Sequence, residues 1–224
     1  MQLQLPTDVY VDSDGNIFVA DSGNKRLQMW APNATQGKTI VTMGDSGPNT
    51  VSGNSKYQDE IYVFGSRLMK YSTNSSTSSG SYLGFLAEPA NGMVVDQCDT
   101  VYVTAGYVSG GYVSGGGRLS KFTSNNVTEQ ILLSGLATPS DVILDQCGHL
   151  FVAEAGKHRI VRYSTRSGGP MEVVINKRGL DGSDSEHLNK PISLSFDSKW
   201  NLYVSDTENH RIQKFDFLNG YMWC

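Results

Sequence analysis

The chain has 224 residues, 18 Lys and Arg against 22 Asp and Glu, a net charge of -4 and a pI near 5.5. Such a length can bury a large core, while the acidic balance leaves no overall basic field to gather phosphates and argues against nucleic acid as the main partner. No stretch reaches the ~18 to 20 apolar residues of a membrane span, and the opening MQLQLPTDVYVD lacks the basic start and apolar centre of a secretory signal.

Residues 5–30, LPTDVYVDSDGNIFVADSGNKRLQMW, state a phrase that the chain then repeats. Asp12 follows Pro6 by six residues and Arg26 follows Asp12 by fourteen. By correspondence with the fifth copy a strand is expected after Pro6, and Gly15 marks a tight turn. IFVAD is a second strand, the next residues a loop, and RLQMW a third strand. KTIVTM at 38–43 is a fourth. The second copy, near 57–71, is the weakest: DEIYVFGSRLMKY keeps the apolar run and Arg67, with no Pro at the expected place and a shorter loop. A Ser-rich loop, STNSSTSSGS, follows at 72–81.

The third copy, residues 86–122, separates Asp96 from Arg118 by twenty-two residues through an eight-residue insertion that says YVSGG twice. Tyr107 and Tyr112 in Gly-rich surroundings have the rigid-aromatic, flexible-backbone chemistry of binding loops. The bland alternative is a slipped duplication standing in solvent. EQILL at 129–133 and EVVIN at 172–176 serve as fourth strands around the fourth copy, LATPSDVILDQCGHLFVAEAGKHRIVRY at 136–163. The fifth, at 188–215, reads LNKPISLSFDSKWNLYVSDTENHRIQKF, in which Ile192, Leu194 and Phe196 alternate with Ser as a half-buried strand would.

The second strands start at Ile17, Ile61, Val101, Leu150 and Leu202, at intervals of 44, 40, 49 and 52 residues. Four antiparallel strands every ~40 to 50 residues is the arithmetic of a propeller blade. The expected fold is therefore an all-β propeller occupying residues 1–224 as a single domain.

LYVSDTENHRIQKF closely resembles the NHL repeat, named for its Asn-His-Arg/Leu stretch, which Asn209, His210 and Arg211 match. The resemblance extends over nearly the whole chain at the level of the repeat, strongest in copies one, four and five. It implies four-stranded NHL-type blades, commonly six to a ring. Five copies then read either as a strained five-bladed ring or as part of a six-bladed one. Relatives implied by the resemblance include RNA-binding tripartite-motif proteins, an amidating lyase and extracellular interaction modules, so it speaks to fold and hardly to chemistry.

Asp21, Glu154 and Asp206 close the second strands, and Arg26, Arg159 and Arg211 open the third strands five residues later, which predicts a structural clamp in each blade. Propeller connectivity puts the loops between strands two and three on one face with the links between blades. The best ligand-binding face from sequence therefore gathers Asn24, Lys25, His158, Asn209 and His210 with Tyr107 and Tyr112. Zinc at His158 and His210 would need a third ligand, and the other copies carry no His or Cys at that position. No metal or cofactor is expected. Lys157, His158, Arg159 and Arg162 make a local basic cluster, the only feature in favour of RNA. Asp141, Asp145 and Asp197 read as residues that start turns and bond the backbone rather than as a catalytic carboxylate set.

Cys98 and Cys147 share the context Asp-Gln-Cys in adjacent copies. Pairing requires Cα atoms within ~4.4 to 6.8 Å, and free thiols are the favoured expectation, with Cys224 at the terminus. Glycosylation sequons at Asn33, Asn74 and Asn126 follow the Arg of their blades by seven or eight residues, in the expected loop between strands three and four. That placement favours secretion if the chain is part of a secreted protein, and the absent signal favours the cytosol otherwise. The resulting expectation is a non-catalytic interaction module for protein or carbohydrate. The alternative is a metal-dependent propeller lyase or hydrolase, with RNA binding behind it.

Overall fold

The computed structural model describes residues 2–44, 46–54, 56–57, 59–74, 79–106 and 116–216. Strands β1 (Pro6–Val11), β2 (Ile17–Asp21), β3 (Arg26–Trp30) and β4 (Lys38–Thr42) form the first sheet in that order. β5 (Thr50–Gly53), β6 (Glu60–Phe64), β7 (Leu68–Ser72) and β8 (Ser81–Gly84) form the second, and β9 (Ala90–Val95), β10 (Val101–Ala105), β11 (Gly117–Thr123) and β12 (Asn126–Leu136) the third. The fourth holds β13 (Pro139–Leu144), β14 (His149–Glu154), β15 (Arg159–Ser164) and β16 (Glu172–Ile175). In the fifth, β17 (Pro191–Phe196), β18 (Leu202–Asp206) and β19 (Arg211–Phe215) are described. Consecutive strands pairing in chain order make each sheet a propeller blade.

The strands fall into two compact units, Met1–Val103 with Ser120–Gln130, and Thr104–Leu119 with Ile131–Cys224. The first two sheets belong to the first unit and the last two to the second. In the first unit, Phe18, Ala20, Leu27 and Val41 of the first sheet pack on Val51, Ile61, Val63 and Tyr71 of the second. In the second unit, Phe151, Ala153, Ile160 and Ile175 of the fourth sheet pack on Leu194, Leu202 and Val204 of the fifth, with Leu188 from the link between them. The repeat positions are the same in both clusters, so the phrase encodes an interface as well as a blade. Each such aliphatic or aromatic side chain contributes ~1.5 to 3 kcal/mol by leaving water.

The turns between first and second strands follow from one acid. Asp12 Oδ1 accepts the N–H groups of Asp14 and Asn16 at 3.0 and 2.8 Å, and Asp96, Asp145 and Asp197 repeat this on the residues two and four further on. The fourth residue of the turn is left-handed in every one of these copies: Gly15 at φ 80°, Asp99 at 62°, Gly148 at 83° and Trp200 at 63°. Gly adopts this region without steric cost. Trp200 occupies it with its ring 5.5 Å from Phe196, which in turn meets Phe151 edge-on at 5.3 Å.

Three sequence expectations change here. The second copy has its Pro after all: Pro48 stands three residues before Val51, as Pro6 does before Val9 and Pro139 before Val142. Thr7 Oγ1 donates to the carbonyl of Pro48 at 3.0 Å, as Ser140 Oγ does to that of Pro191 at 2.9 Å. Ile61 follows Pro48 by thirteen residues, whereas Ile17, Leu150 and Leu202 follow Pro6, Pro139 and Pro191 by eleven, which displaces Pro48 from the spacing of those copies. Second, Ile192 is exposed rather than buried with Leu194, because the pairing of β17 with β18 slips between Pro191 and Leu194. An extra residue on one strand turns every side chain before it to a different face. Third, Asp141 starts no turn. Its Oδ2 accepts the N–H of Leu194 on the next sheet at 2.8 Å, as Asp8 Oδ2 accepts that of Val51 at 2.8 Å. The Thr-Asp and Ser-Asp pairs after Pro6 and Pro139 therefore latch one innermost strand to the next.

Candidate functional site

At the end of β2, Asp21 has no exposure to solvent and holds three segments together. Its Oδ2 accepts from Arg26 Nε at 2.7 Å and from Asn24 Nδ2 at 2.8 Å, and its Oδ1 accepts the N–H of Gln4 at 2.7 Å. Asp206 does the same with Arg211 Nε at 2.7 Å, Asn209 Nδ2 at 2.9 Å and the N–H of Asn189 at 2.5 Å. Glu154 accepts from Arg159 Nε at 2.6 Å and the N–H of Ala137 at 2.8 Å, and pairs with Lys157 Nζ at 2.9 Å. Burial opposes ionisation of Asp21 and Asp206, yet these donors hold both carboxyls below the usual carboxylate value.

The loops after these acids are single 3-10 turns, Ser22–Asn24, Ala155–Lys157 and Thr207–Asn209. Each ends on a left-handed residue, Lys25 at φ 53°, His158 at 53° and His210 at 55°. The shared position is thus set by backbone geometry. His158 Nδ1 accepts the N–H of Lys190 at 3.2 Å, while His210 and Lys25 stand exposed.

Arg211 and its neighbours also shape the link between the fourth and fifth sheets. Its Nη1 donates to the carbonyl of Ser183 at 2.5 Å, and its Nη2 to those of Asp184 at 2.6 Å and His187 at 3.1 Å. Gln213 Nε2 donates to the His187 carbonyl at 2.7 Å, and Asn209 Nδ2 to that of Gly182 at 2.7 Å. From the other end, Asn176 Nδ2 donates to the carbonyls of His158 and Leu180 at 2.8 and 2.7 Å. Residues 176–190 are therefore a held surface rather than a free loop.

Between this link and the end of β16 lies a groove of about 530 Å³. Its lining combines apolar Val174, Ile175 and Phe215 with Lys177, Arg178, Glu186 and His187. His187 Nδ1 meets Asp184 at 2.7 Å, a contact that holds the Asp184 carboxyl below its ordinary value. Lys177 and Arg178 have no ion-pair or hydrogen-bond partner among the described residues. Such a lining can take an apolar side chain and a neighbouring carboxylate.

A family model described as "NHL repeat" matches residues 3–29 and 188–215. The chain carries NHL repeats. No curated protein matches it. Among solved structures, a chain of "Crystal structure of Nidogen/Laminin Complex" matches with a TM-score of 0.75 at 16 % identity, over 95 % of this chain and 79 % of that one. At that identity the likeness concerns the fold, which is the β-propeller.

In the NHL stretch itself, Asn209 and Arg211 are spent on Asp206 and the link, and His210 ends the turn. Asn24 is likewise spent, donating to Asp21 and to the carbonyl of Gln2 at 3.1 Å. The structure thus separates the sequence-selected loop residues among different turns and adds a groove that they do not line. Tyr107 and Tyr112 lie outside the described residues. The basic cluster of the fourth copy is largely neutralised: Lys157 and Arg159 pair with Glu154, and Arg162 with Glu172 at 2.6 Å.

Asn33 sits exposed in a turn with φ 62°, and Asn74 is exposed beside residues that are not described. Asn126 differs from expectation. It opens β12 instead of lying in a loop, because only Ser124 and Asn125 connect β11 to it. The expected pair of free thiols also needs correction: Cys98 is free and exposed, whereas Cys147 is in a disulfide. Cys224 lies outside the described residues. Asp145, Cys147 and His149 come within 4.8 Å of one another, among the described residues a possible metal cluster by distance alone. It does not suit a cation. The sulfur is already bonded, and Asp145 gives its oxygens to the N–H groups of Cys147 and His149 and to His149 Nδ1 at 2.9 Å.

The groove could hardly be found from the repeat, because its charged residues lie in a link that the phrase does not specify. The latch had a faint signal: Thr-Asp and Ser-Asp at the same place after Pro6 and Pro139.

Proposed function

We propose that this propeller is a non-catalytic interaction module that binds a protein segment in the groove beside the link 176–190. The observation that carries this reading is that Lys177 and Arg178, which have no partner among the described residues, line one groove with Val174, Ile175 and Phe215. A groove of that chemistry favours a segment with an aromatic or aliphatic anchor next to Asp or Glu. The backbone around it is already ordered by Arg211, Gln213 and Asn176, so little conformational freedom is lost on binding. The likeness to a chain from a nidogen and laminin complex lends the idea of a protein partner a precedent in the fold.

Panning a random-peptide library against the immobilised chain tests the reading. Peptides that combine an apolar anchor with acidic residues are expected, and Lys177→Glu with Arg178→Glu should weaken them at least about 10-fold, equivalent to ~1.4 kcal/mol. Selected peptides that bind the double variant equally well would remove the groove from consideration.

A further inference from the structure

The asparagines of this chain divide by what the side-chain nitrogen does. Asn16, Asn201 and Asn209 donate Nδ2 to Asp12, Asp197 and Asp206 at 2.8, 2.8 and 2.9 Å, Asn24 to Asp21 at 2.8 Å, Asn54 to Asp99, and Asn176 to two backbone carbonyls. Each of these holds a turn or a link. Asn33 and Asn126 donate Nδ2 to nothing among the described residues. Both open a sequon, Asn33-Ala34-Thr35 and Asn126-Val127-Thr128, and all six residues are exposed.

Their place is shared as well. Asn33 stands between β3 and β4, and Asn126 opens β12 just after β11, seven and eight residues beyond Arg26 and Arg118. The two connections are seven and two residues long, so no common turn geometry calls for Asn. Asn74 is exposed at the corresponding place after β7, with Ser75 and Ser76 of its sequon outside the described residues. All three asparagines belong to the first compact unit.

We propose that Asn33 and Asn126 are sites of N-linked glycosylation. The donor class is an oligosaccharide carried on a polyprenyl diphosphate. Nδ2 bonds to the anomeric carbon, the bond from that carbon to the diphosphate oxygen breaks, and one amide proton leaves with the diphosphate. Thr35 and Thr128 supply the hydroxyl two residues on that defines such an acceptor. At Asn126 the side-chain oxygen accepts the N–H of Thr128 at 2.9 Å, which engages the oxygen and leaves the nitrogen for transfer. A separate observation points the same way: Cys147 is in a disulfide, a bond that persists in the oxidising compartments of the secretory route. A glycan on Asn126 would also cover Val127, 45 % exposed, at the start of the strand that ends its sheet, and so hinder pairing of that edge with another chain.

Protein purified from its natural source, digested and treated with peptide N-glycosidase in heavy-oxygen water, tests this by mass spectrometry, because the enzyme turns each glycosylated Asn into Asp carrying the heavy label. Labelled Asp is expected at positions 33 and 126, and ordinary Asn at 16, 176 and 201. Ordinary Asn at both 33 and 126 overturns the proposal, and at one of them overturns the assignment there. Thr35→Ala should abolish the label at 33 and keep it at 126, and Thr128→Ala the reverse. Both threonines are exposed, so neither change reaches the core. A label that survives the loss of its own Thr overturns the proposal, since it would not come from transfer to a sequon.

Discussion

Replacing Asp21 by Ala removes the acceptor of three donors at once, Arg26 Nε, Asn24 Nδ2 and the N–H of Gln4. The largest consequence is electrostatic, because the Arg26 side chain is only 7 % exposed and would lose the carboxylate opposite it. Breaking one side of a buried ion pair costs about 3 to 5 kcal/mol, most of it from the charge left behind. Against a total stability of ~5 to 15 kcal/mol this is a large fraction. With a urea slope near 2 to 3 kcal/mol per molar, the unfolding midpoint should fall by about 1 to 2 M at unchanged slope. Urea titration followed by circular dichroism reads that shift. The companion variant, Asp21→Leu with Arg26→Met, removes both charges and should recover more than half of the loss, since no buried ion then remains. A midpoint shift below about 0.3 M for Asp21→Ala, given the same slope range, would refute the argument. So would a double variant as unstable as the sum of the two single ones.

Two further outcomes follow from the same contacts. The carboxyls of Asp21 and Asp206 are held below the ordinary value near ~3.9, so their stabilisation is complete above that pH and is lost as pH falls through the lower folded values. Asp8 works the other way: burial raises it despite the N–H groups of Val51 and Val9, so its term gains as pH falls. Asp184 and Asp197 are lowered as well, so the lowered carboxyls outnumber the raised one and the thermal midpoint should drop below about pH 4; melting curves between pH 3 and 7 that rise towards the acid end would contradict this. Asp141→Ala takes the acceptor from the N–H of Leu194 at the latch between the fourth and fifth sheets. Hydrogen exchange at the Leu194 amide should quicken at least about 10-fold, and an unchanged rate would mean that the latch does not hold the two strands.

The fold was legible because a propeller blade is written in short range. The apolar run of IFVAD, the acid of each turn and the left-handed position filled by Gly15 and Gly148 all lie within a few residues of one another, where steric and hydrogen-bond rules act directly. The same locality let the acid and Arg five residues apart be read as partners, and they meet at 2.6 to 2.7 Å in the first, fourth and fifth sheets. Reading failed where distance in sequence grew. Pro48 was hidden by two extra residues before the second strand, Ile192 was turned outward by a slip in pairing, and Asp141 found its partner 53 residues away.

By itself, then, the sequence determined the repeat: which residues make strands, where the turns tighten, and that the first, fourth and fifth blades are locked by an acid and an arginine. Only tertiary structure decided what those residues face. Arg211 reaches across to carbonyls 24 to 28 residues earlier and so fixes the link that carries Lys177 and Arg178. Val9 and Val142 are the same residue in the same phrase, yet one is 59 % exposed and the other 1 %. Burial depends on the neighbouring sheet, and no residue's own identity contains that information.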